Sequence, residues 1–307
     1  MRDPLSYFLL ALLLVSTQFA SAKSGCEVSL FEKNCGLLHE IVQVTTPSEH
    51  QRRTEEQYAA ETGLDPKLVK QLFRRTGNIK CGGRTETAQL TGADYVLTTA
   101  GHIFYNEDCT RRNLDKCTFA PDVGREVDVD ISPRSLKLGK CGQVGSVDDW
   151  ASVRLKESMP EISFYDIPAK DEPPPSLKAS DKEKKGKPVL QVTSAQSDFN
   201  AKSIENCYIK DLDDITPGSV QHDCNTGKKG SGAGQFVRLP KRIHPKTGET
   251  LPEKTVLAAI NVSEADIKRT GGIIGTGYDK NKLYNLSVPL TGKFLEAVYE
   301  NIESGKP

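Results

Sequence analysis

The feature that most restricts this chain is a succession of short β-favouring runs punctuated by turn residues. In the first half, runs at 87–90 and 95–99 flank Thr91-Gly92-Ala93-Asp94, which reads as a hairpin turn, and 127–131, Leu136 and 149–155 continue the meander. In the second half, strands are expected at 189–192, 207–209, 234–239, 255–262 and 283–288. An aromatic content of 7 % with 25 glycines and 17 prolines suits an all-β chain rich in turns and argues against a helical fold. The 307 residues leave room for two domains, each able to bury its own core.

The flanks read differently. Residues 1–22 carry Arg2, a short apolar run and Ala20-Ser21-Ala22, the pattern of a signal peptide, so the mature chain is expected to start at Lys23. Residues 23–77 form an N-terminal extension, either a pro-segment or a permanent clasp. Within it a helix over 54–62 is expected, then a second with Asp65 as N-cap, Pro66 in its first turn and Gly77 past its end. Arg74-Arg75 is a processing site on one reading and dipole compensation on the other. Residues 156–187, with Pro173-Pro174-Pro175 and a charged run, read as an exposed connection. The division is a first barrel over 78–170, a linker over 171–187, and a second barrel with a closing helix over 188–307. Thr291 caps that helix, whose Phe294, Leu295, Val298 and Ile302 share one face.

Eight cysteines after a signal peptide read as four disulfides made in an oxidising compartment, secreted or periplasmic. No Cys/His cluster has ligand spacing, so no metal or cofactor is implied. The 41 acidic and 41 basic residues cancel, which argues against nucleic acid or an anionic membrane as partner once the signal is removed. The chain is read as a monomer.

Three stretches carry chemistry. Leu97-Thr98-Thr99-Ala100-Gly101-His102 delivers an imidazole at the end of a strand, Asp149-Trp150-Ala151-Ser152-Val153-Arg154-Leu155 opens an alternating strand with an acid, and His222-Asp223-Cys224-Asn225-Thr226-Gly227-Lys228-Lys229-Gly230-Ser231-Gly232-Ala233-Gly234 sets a serine among glycines. His, Asp and Ser in that order form one of the known orders of a serine-hydrolase triad. In these stretches the chain resembles the chymotrypsin-fold, trypsin-like serine proteases, and most closely the bacterial secreted branch that includes the glutamyl endopeptidases. TTAGH stands for the family's TAAH, DWASVRL for its D-x-A-x-x-x-L strand, and HDCNTGKKGSGAG for its C-x-T-x-x-G-x-S-G segment.

The resemblance implies two Greek-key six-stranded β-barrels with a cleft between them, and a secreted endopeptidase acting on peptide or protein substrates. His102 would be general base, Asp149 its orienting acid and Ser231 the nucleophile, with the amides of Lys229 and Ser231 as oxyanion donors. Asn261 and Asn225 fall at substrate-binding positions, with no charged partner that would name a favoured side chain. The family pattern implies a Cys207–Cys224 bridge, and the remaining cysteines are expected to pair as Cys26–Cys35, Cys109–Cys117 and Cys81–Cys141. Lys229 and Gly234 depart from the family's Gly and Pro. They motivate a second reading, a catalytically impaired homologue that binds peptides or a protein partner in the same cleft. Asn261-Val262-Ser263 and Asn285-Leu286-Ser287 match the glycosylation acceptor pattern, which is short enough to arise by chance.

Overall fold

The computed structural model describes residues 51–106, 108–121, 125–141, 147–194, 201–212, 218–226, 229–244, 246–264 and 284–307. The signal segment and the expected Cys26–Cys35 bridge lie outside them.

Strands β1 (Thr76–Cys81), β2 (Arg84–Leu90), β3 (Val96–Thr99), β4 (Cys117–Ala120), β5 (Val127–Asp130), β6 (Lys137–Leu138) and β7 (Ala151–Leu155) build the first barrel. They run in the order β3-β2-β1-β4-β5-β7, with β3 pairing back onto β7 to close six strands and β6 flanking β7. Strands β8 (Lys187–Thr193), β9 (Ser203–Leu212), β10 (Val220–His222), β11 (Gly234–Leu239), β14 (Lys254–Glu264) and β15 (Asn285–Pro289) close a second barrel, and β12 (Arg242–Ile243) with β13 (Thr250–Leu251) forms a small ribbon beside it. The fold is all-β, with two six-stranded barrels as expected.

Strand β3 shows how sequence becomes two cores. All four of its residues are buried, because successive side chains point to opposite faces and both faces are covered. Val96 joins a cluster with Leu190, Phe236 and Ile260 of the second barrel, whereas Leu97 joins the interior of the first with Ile79, Phe119 and Val153. The expected hairpin holds β2 against β3 with Ala88 opposite Thr99 and Leu90 opposite Leu97.

Two helices precede the barrels. In α1 (Glu55–Thr62), the Thr54 hydroxyl accepts the Gln57 amide and the Gln57 side chain accepts the Thr54 amide, a reciprocal cap. In α2 (Pro66–Phe73), the Asp65 carboxylate accepts the Lys67 amide. Tyr58, Val69, Leu72 and Phe73 are buried in the cluster shared by both barrels, and Arg53 exchanges backbone hydrogen bonds with Ile204 of β9. The second helix stops at Phe73 and Gly77 falls inside β1, because the chain turns directly into that strand. Arg75 is buried, donating to the carbonyls of Leu72 and Phe164 at 2.8 Å and lying over the Tyr165 ring. The dibasic pair therefore serves a helix end and the core.

The closing helix, α3 (Gly292–Glu303), returns to the first barrel. Phe294 stacks on Trp150 at 5.0 Å, the Tyr95 hydroxyl donates to the Ile302 carbonyl, and Asn301 donates to the Ser152 hydroxyl. The connection between barrels has more anchors than its polar composition announces. Met159, Ile162, Tyr165 and Leu177 are buried along it.

The disulfides correct two expected pairings. Cys81 bonds to Cys117 and Cys109 to Cys141, in place of Cys109–Cys117 and Cys81–Cys141. The cause is register: β1 and β4 are neighbours with Cys81 directly opposite Cys117. Cys207 bonds to Cys224, as expected from the resemblance.

Candidate active site

His102 lies in a short 3-10 turn, Gly101–Ile103, immediately after β3. Asp149, just before β7, is positioned by the β3–β7 pairing, in which Thr99 faces Ala151. Its carboxylate bonds to His102 twice: Oδ1 accepts the backbone amide at 2.8 Å and Oδ2 meets Nδ1 at 2.8 Å. A carboxylate at that distance takes a proton donor, so Nδ1 carries hydrogen and Nε2 is left with its lone pair. Burial pulls the ring's pKa down, but the Asp149 charge, its hydrogen bond and the Glu86 charge outweigh it and leave the ring above the ordinary imidazole value. Gly101 has a steric reason: a Cβ there would stand 3.0 Å from the Trp150 carbonyl and 3.3 Å from Asp149 Oδ1.

The serine loop is held from two sides. On one, Thr87 of β2 donates its amide to the Ser231 carbonyl at 2.9 Å and its hydroxyl to the Lys229 carbonyl at 3.0 Å. On the other, Gly232 donates to the Asn261 carbonyl of β14 at 2.6 Å. Gly232 has φ 84°, and a Cβ there would strike the Thr87 carbonyl and the Thr99 hydroxyl. Only glycine fits so close to the strand that leads into His102. Thr99 in turn donates its hydroxyl to the Thr87 carbonyl at 2.7 Å, tying the loop to the arm that carries the imidazole. Among the described residues, no hydrogen bond joins Ser231 Oγ to the His102 ring. Lys229 adopts φ 75°, the left-handed region that favours glycine, so the loop keeps a glycine-like conformation without a glycine.

Asn225 and Asn261 are both buried. Asn261 accepts from His222 Nε2 at 3.0 Å and donates to the Gly230 carbonyl at 3.1 Å, so its side chain supports the serine loop from below. Asn225 donates its amide and its side-chain nitrogen to Glu205, and burial pushes that carboxyl up to about 8. Full burial of Asn261 and Asn285 removes them as glycosylation acceptors.

Three residues near the serine loop or His102 were not read from the sequence. His222 and Glu205 brace the serine segment, and Glu86 lies beside His102. His222 is fully buried, which lowers its pKa to about 4 and keeps the ring neutral. Their only advance signal would have been the strand alternation that turns each inward. Among the described residues, no group of three or more His, Cys, Asp or Glu could hold a metal ion, and no helix is long and apolar enough to cross a membrane.

The barrels and their connectivity define the chymotrypsin fold, the architecture of the trypsin-like serine proteases. Among solved structures the chain is similar to a Glu endopeptidase in complex with MPD, at 12 % identity and TM-score 0.51, covering 84 % of this chain and 100 % of that one. It also matches neuropsin, a serine protease expressed in the limbic system of mouse brain, at 14 % identity, TM-score 0.47, 76 % of this chain and 95 % of that one. A third match is the HtrA-type protease AlgW with tripeptide, at 16 % identity, TM-score 0.46, 78 % of this chain and 63 % of that one. No family model matches the sequence, nor does any curated protein sequence.

Proposed function

We propose that this chain is an exported serine endopeptidase that hydrolyses peptide bonds through His102, Asp149 and Ser231. The observation that carries the reading is the doubly bonded His102–Asp149 pair beside a serine loop anchored on β2. In this reading His102 Nε2 takes the proton as Ser231 Oγ attacks the scissile carbonyl, and Asp149 stabilises the imidazolium. The amides of Lys229 and Ser231 receive the developing oxyanion. His102 then protonates the leaving amine, the C–N bond breaks, and water releases the acyl group from Ser231 by the same route in reverse. A nucleophile–base contact that is loose in the free enzyme and tightens with substrate is common in such sites. Asn225 and Asn261 remain the substrate-binding candidates of this reading, with their side-chain nitrogens held by Glu205 and by the Gly230 carbonyl.

Export is part of the proposal. Three cystines among the described residues fit an oxidising compartment, with residues 1–22 as the leader. The test is labelling of the oxidised protein with a serine-directed fluorophosphonate. A Ser231 adduct that disappears in His102→Ala supports the reading, and absence of label in a folded protein overturns it. The second reading, a peptide-binding homologue with impaired catalysis, is favoured by the left-handed conformation of Lys229. It predicts peptide binding without labelling.

A further inference from the structure

Glu86 precedes Thr87 on β2 and is 9 % exposed. Its Oε2 is enclosed and has no hydrogen-bond partner. Strand register says where that carboxylate stands. Ala88 lies opposite Thr99, so two residues further along the antiparallel pair Glu86 comes level with Gly101, the residue before His102. Cross-strand partners project to one face, and the Cβ that Gly101 lacks would stand 3.0 Å from the Trp150 carbonyl and 3.3 Å from Asp149 Oδ1. Glu86 therefore shares the face on which Asp149 holds the imidazole. The charged groups facing Glu86 are His102, Arg84, Asp149 and Lys229, and those facing His102 are Asp149, Glu86 and Arg84. Among the described residues neither Arg84 nor Lys229 forms an ion pair with Glu86.

A buried carboxylate without a donor is costly, and a positive charge arising beside it lowers that cost. In this site the imidazole is the group that acquires one, as it takes the Ser231 proton. We infer that Glu86 is a second carboxylate behind the catalytic imidazole, a positioning residue whose charge is uncompensated in the resting site and compensated as the imidazolium forms. Interactions that strengthen on the way to the transition state are the ones that raise turnover. Asp149 sets the ring's tautomer through a hydrogen bond, whereas Glu86 acts through space on how readily the ring accepts and returns the proton. Burial raises the Glu86 carboxyl to about 6, so its charge is present above that pH and lost below it. This inference rests on the protease reading.

The test reads the ring itself. In Ser231→Ala with isotope-labelled histidine, the His102 titration followed by NMR should have its midpoint lowered by about 1 pH unit when Glu86→Gln is added. With Ser231 intact, fluorophosphonate labelling should give crossing pH profiles. The weaker base makes Glu86→Gln about threefold slower than the parent on the alkaline plateau, and about threefold faster on the acidic limb, where more of its rings are unprotonated. A merely structural role would lower the rate at every pH and leave the midpoint in place. An unmoved His102 midpoint overturns the inference, as does a labelling profile lowered in parallel. Should Glu86→Gln fail to fold, Glu86→Asp, whose carboxylate is drawn back by one methylene, should lower the midpoint by less, and no change there overturns the inference equally. Failure of the protease reading shows separately, as absence of fluorophosphonate label at Ser231 in the parent, and the NMR titration still decides the Glu86 assignment.

Discussion

His222 donates from Nε2 to Asn261 Oδ1 over 3.0 Å, while Cys224 donates its amide to the ring's Nδ1. The bond accepted by Nδ1 requires the neutral ring, and burial holds its pKa at about 4 against an ordinary 6.5. As pH falls from 6.5 toward 4 the unfolded chain takes a proton that the native ring refuses, so native stability is lost across that window. The effect is on the order of 3 kcal/mol. Urea unfolding of the parent and His222→Gln at several pH values should show a gap that narrows by this amount on acidification. Parallel curves would refute it.

Lys229 supplies a second prediction through its φ of 75°. Lys229→Gly relieves left-handed strain but adds unfolded-state entropy, so stability should rise by no more than about 1 kcal/mol. Lys229→Val should lose more than about 1 kcal/mol, because a β-branched residue tolerates positive φ poorly. Lys229→Gly keeps both the amide and the left-handed backbone, so its Ser231 labelling rate should stay within about threefold of the parent. Thermal melts and labelling rates check these outcomes.

Asp149→Asn should leave the fold intact and lower turnover by about 10³–10⁴-fold, because the imidazole loses the acceptor that sets its tautomer. In the parent, activity requires unprotonated His102 and should rise with pH through a midpoint above 6.5, since the ring's pKa is raised. The labelling rate of the variant should show that midpoint displaced downward. An unchanged pH profile would argue against Asp149 as the partner of a working base.

Phe73 separates a permanent clasp from a removable pro-segment. It is fully buried and meets Tyr58 edge-on, with ring centroids 5.8 Å apart. Phe73→Ala should cost about 3–5 kcal/mol in equilibrium unfolding. A change under about 1 kcal/mol would mean that the barrels hold together without the helices.

Much of this was legible because local and tertiary signals agree. Thr91-Gly92-Ala93-Asp94 asks for a turn and the flanking runs pair, which delivers His102 to a strand end, and Asp149 stands before the alternating strand that β3 recruits. Strand β1 was not legible, since Thr76-Gly77-Asn78-Ile79-Lys80-Cys81 holds residues that disfavour strands and is imposed by pairing on both sides. Missing it broke the cystine pairing, because Cys81 and Cys117 meet only across that strand pair. Glu86 was hidden for a related reason: β2 starts at Arg84, earlier than the alternating letters reveal.

The helices on either side of the barrels cross over. The leading helices insert into the core shared with the second barrel, while the trailing helix covers Trp150 and Ser152 of the first. During synthesis the first barrel therefore waits for α3 to emerge, and the strand-like pairing of Arg53 waits for β9. Neither half is a finished folding unit. Its completion depends on contacts between residues remote in sequence, which makes for slow assembly and a single cooperative loss of structure rather than one barrel at a time.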